Sequence, residues 1–112
     1  MINIKNAKLI NLTPHPITIF LSNGNNIELP PSGKVARCKE KTIEIGQINN
    51  IPIIKKELGE VYDLPASEEN TYYIVSLAVA QAVKRSDLLV VGQSVRDEKG
   101  NIIGCTSLAL IE

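Results

Sequence analysis

The sequence has no tryptophan, one phenylalanine and three tyrosines, so aromatic residues make up only 4% of its 112 positions. Four rings are too few for a platform on which single-stranded nucleic acid stacks. Cysteine is also scarce, with Cys38 and Cys105 in separate segments and a single histidine in the chain. Without CxxC spacing or a histidine pair, these thiols make neither a disulfide framework nor a structural zinc site. No excess of either charge exists: twelve Lys and Arg offset twelve Asp and Glu. That balance excludes a cationic shell that grips duplex nucleic acid by phosphate neutralisation. No apolar run approaches the roughly 18 residues of a spanning helix, and Met1-Ile2-Asn3-Ile4-Lys5 lacks the apolar core of a secretory signal. The expectation is a cytoplasmic protein with reduced thiols and no membrane partner.

What is present suits one ordinary domain over residues 1–112. Hydrophobic residues are 44% and charged residues 21% of the chain, proportions of a folded rather than a disordered sequence. A chain of this length hides about 65% of its unfolded surface, enough for a real core. Sixteen isoleucines, ten asparagines and nine lysines stand against three arginines, Arg37, Arg85 and Arg96. With lysine so favoured, each arginine marks a place where a planar five-donor fork is wanted and a point charge does not suffice.

Strand signals dominate. The runs 8–13 and 17–21 are rich in β-branched residues and flank Pro14-His15-Pro16, whose prolines make the junction a kink or an edge. Asn23-Gly24 reads as a hairpin turn into Ile27-Glu28-Leu29. After Pro30-Pro31-Ser32-Gly33, residues 34–39 resume extended structure. Ile43 and Ile45 flank Glu44, an alternation that predicts one buried and one wet face. Ile48-Asn49-Asn50-Ile51 turns the chain, and residues 57–65 read as strand and loop. Residues 71–75 form the strongest strand signal. Ser76 is placed to cap a helix over 77–85, which is rich in alanine. Short strands follow at 87–91, at 95–96 with 102–103 as a hairpin, and at 108–111. The expected fold is α+β: seven to nine short strands in a mostly antiparallel sheet, with one principal helix near residues 77–85.

Several residues have chemistry to offer. His15 is the chain's one imidazole, a side chain able to serve as a base or to donate to an anion, and is aimed by two prolines. Ser32, Gly33 and Arg37 have the makings of an anion nest, although no P-loop pattern is present. Arg85 complements a helix C-terminus and Asp87 can tie the next turn, and Arg96-Asp97-Glu98 precedes a glycine turn. Cys105 with His15 as base would make a nucleophile–base pair, but a small buried thiol near a strand end is the commoner explanation. Asp87, Asp97 and Glu98 lack the spacing of a metal site, and no cofactor or catalytic set is expected.

Asn11-Leu12-Thr13-Pro14-His15, the run 31–37, Tyr73-Ile74-Val75-Ser76, Arg85-Ser86-Asp87-Leu88-Leu89, the run 95–100 and Ile102-Ile103-Gly104-Cys105 occur in that order. Together they resemble a family of small phage, prophage and bacterial proteins marked by Asn-Leu-Thr-Pro-His near the N-terminus. The chain departs from that family's pattern at Val91-Gly92 and at Thr106. The resemblance implies a phage-type accessory protein, acting in the host cytoplasm, and it collects His15, Arg37, Arg85, Asp87 and Arg96 into its motifs. The resulting expectation is a homo-oligomer that binds and sequesters a small anionic, nucleotide-derived ligand through His15, Ser32, Gly33, Arg37, Arg85, Asp87 and Arg96. A cyclic nucleotide or a cyclic ADP-ribose derivative acting as a host immune signal would fit. The alternatives are an enzyme that cleaves such a ligand and a structural or protein-binding module.

Overall fold

Residues 3–111 are described by a computed structural model of the chain. They form ten strands and one helix. The first three strands are β1 (Lys8–Asn11), β2 (Ile17–Phe20) and β3 (Asn26–Leu29). Two long ones follow, β4 (Arg37–Ile48) and β5 (Ile51–Tyr62). Then come β6 (Thr71–Ile74), the helix α1 (Leu77–Ala82), β7 (Leu88–Val91), β8 (Ser94–Arg96), β9 (Ile102–Cys105) and β10 (Leu108–Leu110).

These strands make two four-stranded sheets, ordered β1-β6-β7-β10 and β3-β2-β9-β8, while β4 and β5 pair only with each other. Alternation along β6 and β7 sorts the first sheet into two faces. Tyr73, Val75, Leu88 and Val90 pack on α1 through Val79 and Ala80, with Leu12 and Ala36 completing the cluster. Ile74, on the opposite face, packs with Ile17, Ile19 and Cys105 of the second sheet. The body is therefore three layers deep, with α1 outside, the first sheet in the middle and the second sheet beyond it.

Four of the sequence-based expectations need correction. The sheets are mixed rather than mostly antiparallel: β1–β6, β6–β7 and β2–β9 are parallel. There are ten strands, not seven to nine. The helix stops at Ala82 instead of continuing to Arg85, because the β-branched Val83 is extended at φ −123° and ψ 110°. That early stop brings the Asp87 carbonyl to the Tyr73 N–H at 2.9 Å. Finally, residues 37–62 are not several short strands but one hairpin of two twelve-residue strands.

The hairpin is made by Asn49 and Asn50, which both take left-handed backbone at φ 51° and 63°, the conformation of a type I′ turn that matches strand twist. Its root packs on the α1 side of the body through Cys38 and Val61. Beyond the root it projects as an arm. The alternation of Ile43 and Ile45 does not yield one buried face: Ile45 is 63% exposed and Ile43 is half-buried. The radius of gyration is accordingly 16.8 Å and the longest extent 52 Å, against about 13 Å for a compact chain of this length.

Candidate functional site

Asn11 organises one corner of the body. It is 2% exposed, and its Nδ2 donates to the carbonyls of His15 at 2.8 Å and Leu29 at 3.0 Å. Its Oδ1 accepts from the Thr13 N–H at 2.9 Å and the Thr13 hydroxyl at 2.6 Å. Its own carbonyl accepts from the Ser32 N–H at 3.0 Å, and the Leu12 carbonyl accepts from the Ala36 N–H at 3.1 Å. A buried amide that satisfies this many groups fixes two loops at once, since each partner left unmade inside would carry a desolvation cost. The loops are the one bearing His15 and the one bearing Ser32 and Gly33.

His15 is exposed and lies between two clefts. One, of about 270 Å³, also involves Thr18, Ile103, Gly104 and Cys105. The other, of about 420 Å³, involves Thr13, Val75, Ser76, Leu77 and Val91. Ser32 Oγ accepts from the Lys34 N–H at 3.4 Å, and Gly33 adopts φ 96°, which holds the loop in a tight bend. Residues 29–39 carry Lys34, Arg37 and Lys39 and no acid. The loop 30–36 itself carries Lys34 and no acid, and Arg37 follows at the start of β4.

Arg96 belongs to the same end of the second sheet. Ile19 pairs with Cys105 in parallel register and Arg96 pairs with Ile102, so His15 and Arg96 flank β9 with about 10 Å between their backbones. Arg96 Nη1 donates to the Gly100 carbonyl at 2.7 Å, which leaves the rest of an exposed fork toward solvent. Asp97 closes the same turn by accepting from the N–H groups of Lys99 and Asn101, each at 2.9 Å. These bonds, that from the Asn101 backbone foremost, hold its carboxyl below the usual carboxylate range. Arg37 is exposed where β4 begins, opposite Tyr62.

Arg85 and Asp87 are elsewhere. They sit at the Leu88 end of β7, whereas His15 adjoins Val91, about 10 Å away along the strand. Arg85 Nε and Nη2 donate to the two Asp87 carboxylate oxygens at 2.9 and 2.6 Å, and Nη1 donates to the Pro65 carbonyl at 3.0 Å. The Tyr73 hydroxyl donates to the Ala66 carbonyl at 3.2 Å, and the guanidinium carbon stands 6.0 Å from the centre of the Tyr73 ring. Hydrogen bonding to Arg85 holds the Asp87 carboxyl below its ordinary value, with help from the Ser67 side chain, and the bond to Asp87 raises Arg85 above its own. A fork with three donors occupied this way is a clamp on residues 65–67, the return of the arm to the body.

The seven expected ligand residues therefore divide. His15, Ser32 and Gly33 are brought together by Asn11, Arg96 lies across β9 from His15, Arg37 opens β4 opposite Tyr62, and the Arg85–Asp87 pair stands apart. Asn11 was not singled out from sequence as a site residue. The signal for it was Asn11-x-Thr13 before a proline, the pattern of an Asx turn. Cys105, the candidate nucleophile, is completely buried. No group of three or more metal-binding side chains occurs among the described residues, and no helix there is long and apolar enough to cross a membrane. No protein-family model, no curated protein and no solved structure matches the chain.

Proposed function

We propose that the His15 corner is an anion-binding surface and that the protein is a small phage-type accessory protein. In this reading it captures a nucleotide-derived ligand such as a cyclic nucleotide or a cyclic ADP-ribose derivative. The observation that carries the proposal is the acid-free loop between β3 and β4, with Lys34 and, where β4 begins, Arg37, tied at Ser32 to Asn11, whose side chain also holds the loop of the exposed His15. Arginine forks and lysines neutralise phosphate oxygens, and an imidazole N–H donates to them. Arg96 adds a second cation on the far side of β9. Arg85 and Asp87 leave the ligand set, because their polar atoms are spent on each other and on Pro65.

Capture is favoured over cleavage because, among the described residues, only the His15 carbonyl and not its ring is hydrogen-bonded to a neighbour. The Cys105 thiol is buried, and Asp87 is held by Arg85. Titration calorimetry against a panel of cyclic nucleotides and ADP-ribose derivatives tests the proposal. Binding heat is expected from at least one, weakened about tenfold or more by His15→Ala or Arg37→Ala, with the ligand recovered at unchanged mass. No heat from any member of the panel overturns capture, and an altered ligand mass replaces it with catalysis.

A further inference from the structure

Six of the sixteen isoleucines lie between residues 43 and 54, in the distal half of the arm. Register sets Ile48 beside Ile51 and Gly46 beside Ile53, with Ile43 next on the same face. From the Ile43–Lys55 pair to the tip that face has no further charged side chain, while toward the root it carries Lys41 and Glu57. Ile48 is 62% and Ile51 60% exposed, and Ile54 on the other face is 50% exposed. A two-stranded ribbon is marginal in water on its own, and a contiguous apolar patch of this kind marks an interaction surface.

We infer that the arm is a self-association device: each copy lays its isoleucine face on the body of a second copy, and a two-fold axis makes the exchange reciprocal. Three observations point to that occupant. The first is charge. Residues 39–60 carry Lys39, Lys41, Lys55 and Lys56 against Glu40, Glu44, Glu57 and Glu60. A neutral arm has no long-range attraction for nucleic acid or an anionic membrane, and two such arms do not repel each other. The second is area. The apolar stretch from Ile43 to Ile48 spans about 20 Å and a two-stranded face is about 10 Å wide, or roughly 200 Å². That is a quarter of the roughly 800 Å² per partner of a standard interface, so one arm gripped by a foreign partner falls short. Giving one arm and receiving another doubles the area.

The third observation is a receiving surface. Ile4, Ala7, Leu9, Tyr72 and Leu89 line an apolar cleft of about 410 Å³. Leu9 and Tyr72 are register partners on the face of the first sheet opposite Ile10 and Tyr73. The arm root packs on the Tyr73 side. A chain therefore cannot fold its own arm into its own cleft without passing around the sheet, whereas a second copy can reach it. Edge-to-edge pairing of arms is the weaker arrangement. The ladder is interrupted at Cys38/Glu40, where β5 carries the extra residue, and at Glu44/Gly46, where β4 does, and β5 has Pro52 near its tip, devices that blunt an edge.

Sedimentation velocity over a concentration series tests this. The wild-type chain is expected to be a dimer, and Ile48→Glu with Ile51→Glu to raise its dissociation constant about a hundredfold or more, with unchanged far-ultraviolet circular dichroism. If the double glutamate variant misfolds, Ile48→Ser with Ile51→Ser is the substitute. Ile4→Glu in the cleft is expected to weaken the dimer similarly, and mixing it with the arm variant restores one of the two contacts and part of the association. A monomeric wild type overturns the inference, including one that floats with phosphatidylcholine vesicles and so assigns the ribbon to a lipid surface. A dimer untouched by the arm variants overturns it as well. A dimer lost in the arm variants but intact in Ile4→Glu overturns the exchange and leaves arm-on-arm contact.

Discussion

The body and the arm are both built from strands, yet they obtain their stability in different ways. Body strands are three or four residues long, and each is held by neighbours on two sides or by a packed face. Tyr73, Ile74, Leu88, Val79 and Cys105 are at most 1% exposed, and no described buried polar side chain lacks a partner. The arm has strands three times as long, one neighbour each and isoleucines in the open. What ties it down is concentrated at its two roots. Asn11 and Leu12 hold the entering loop through Ser32 and Ala36, and Arg85, Asp87 and Tyr73 hold the leaving one through Pro65 and Ala66. The comparison teaches that polar side chains which look like ligand groups from sequence can be anchors for a projecting element.

The contrast breaks most sharply at the body's contact points. Asn11→Ala strands the carbonyls of His15 and Leu29 and the N–H of Thr13, and is expected to cost about 3 kcal/mol or more in urea unfolding. Gly104→Ala places a Cβ 2.6 Å from the Thr18 carbonyl oxygen, a backbone atom that cannot swing aside. That substitution is expected to cost about 2–3 kcal/mol and to part β2 from β9. A loss below about 1 kcal/mol in either variant would remove the claim that this corner is rigidly organised.

Next in size is the clamp. Arg85→Leu is expected to cost about 1–3 kcal/mol and to quicken proteolysis at residues 63–70 before the body is cut. The same clamp sets a pH dependence. Asp87 is depressed in the folded state, so its contribution is complete above the unfolded carboxylate value, about 3.9. It is lost as pH falls from there through the folded value. Asp87→Asn should therefore flatten the acid limb of stability against pH, but only in part, because Asp97 is also depressed. An acid limb identical to that of the wild type would deny the clamp. The smallest effect belongs to the arm: in dilute protein, Ile48→Ser with Ile51→Ser should change unfolding free energy by no more than about 0.5 kcal/mol.

Much of the body's local order was legible. The turns at Asn23-Gly24, at Asn49-Asn50 and between Arg96 and Ile102 follow from residues that tolerate positive φ or bond their own backbone. The Ser76 cap was legible for the same kind of reason. The parallel pairings were not, because they join segments such as Ile19 and Cys105 that are remote in sequence and bear no local mark. The arm was misread because alternating isoleucine and charge implies a covered face, and periodicity does not say whether the cover is the same chain. In the site, Ser32, Gly33 and His15 are joined by a residue type that sequence reading treats as a turn former. Arg85 and Asp87, two residues apart, were close enough to satisfy each other, which their shared motif did not disclose.

The division between a self-sufficient body and an arm completed by a second copy is tested most directly by amide hydrogen exchange at two protein concentrations, one above and one below the association range. The account predicts that protection of residues 43–54 rises with concentration, as does that of the cleft around Leu9 and Tyr72. Strands β2 and β9 should exchange at the same slow rate at both concentrations. Concentration-independent exchange in the arm, or protection of the body core that collapses on dilution together with the arm, would contradict it.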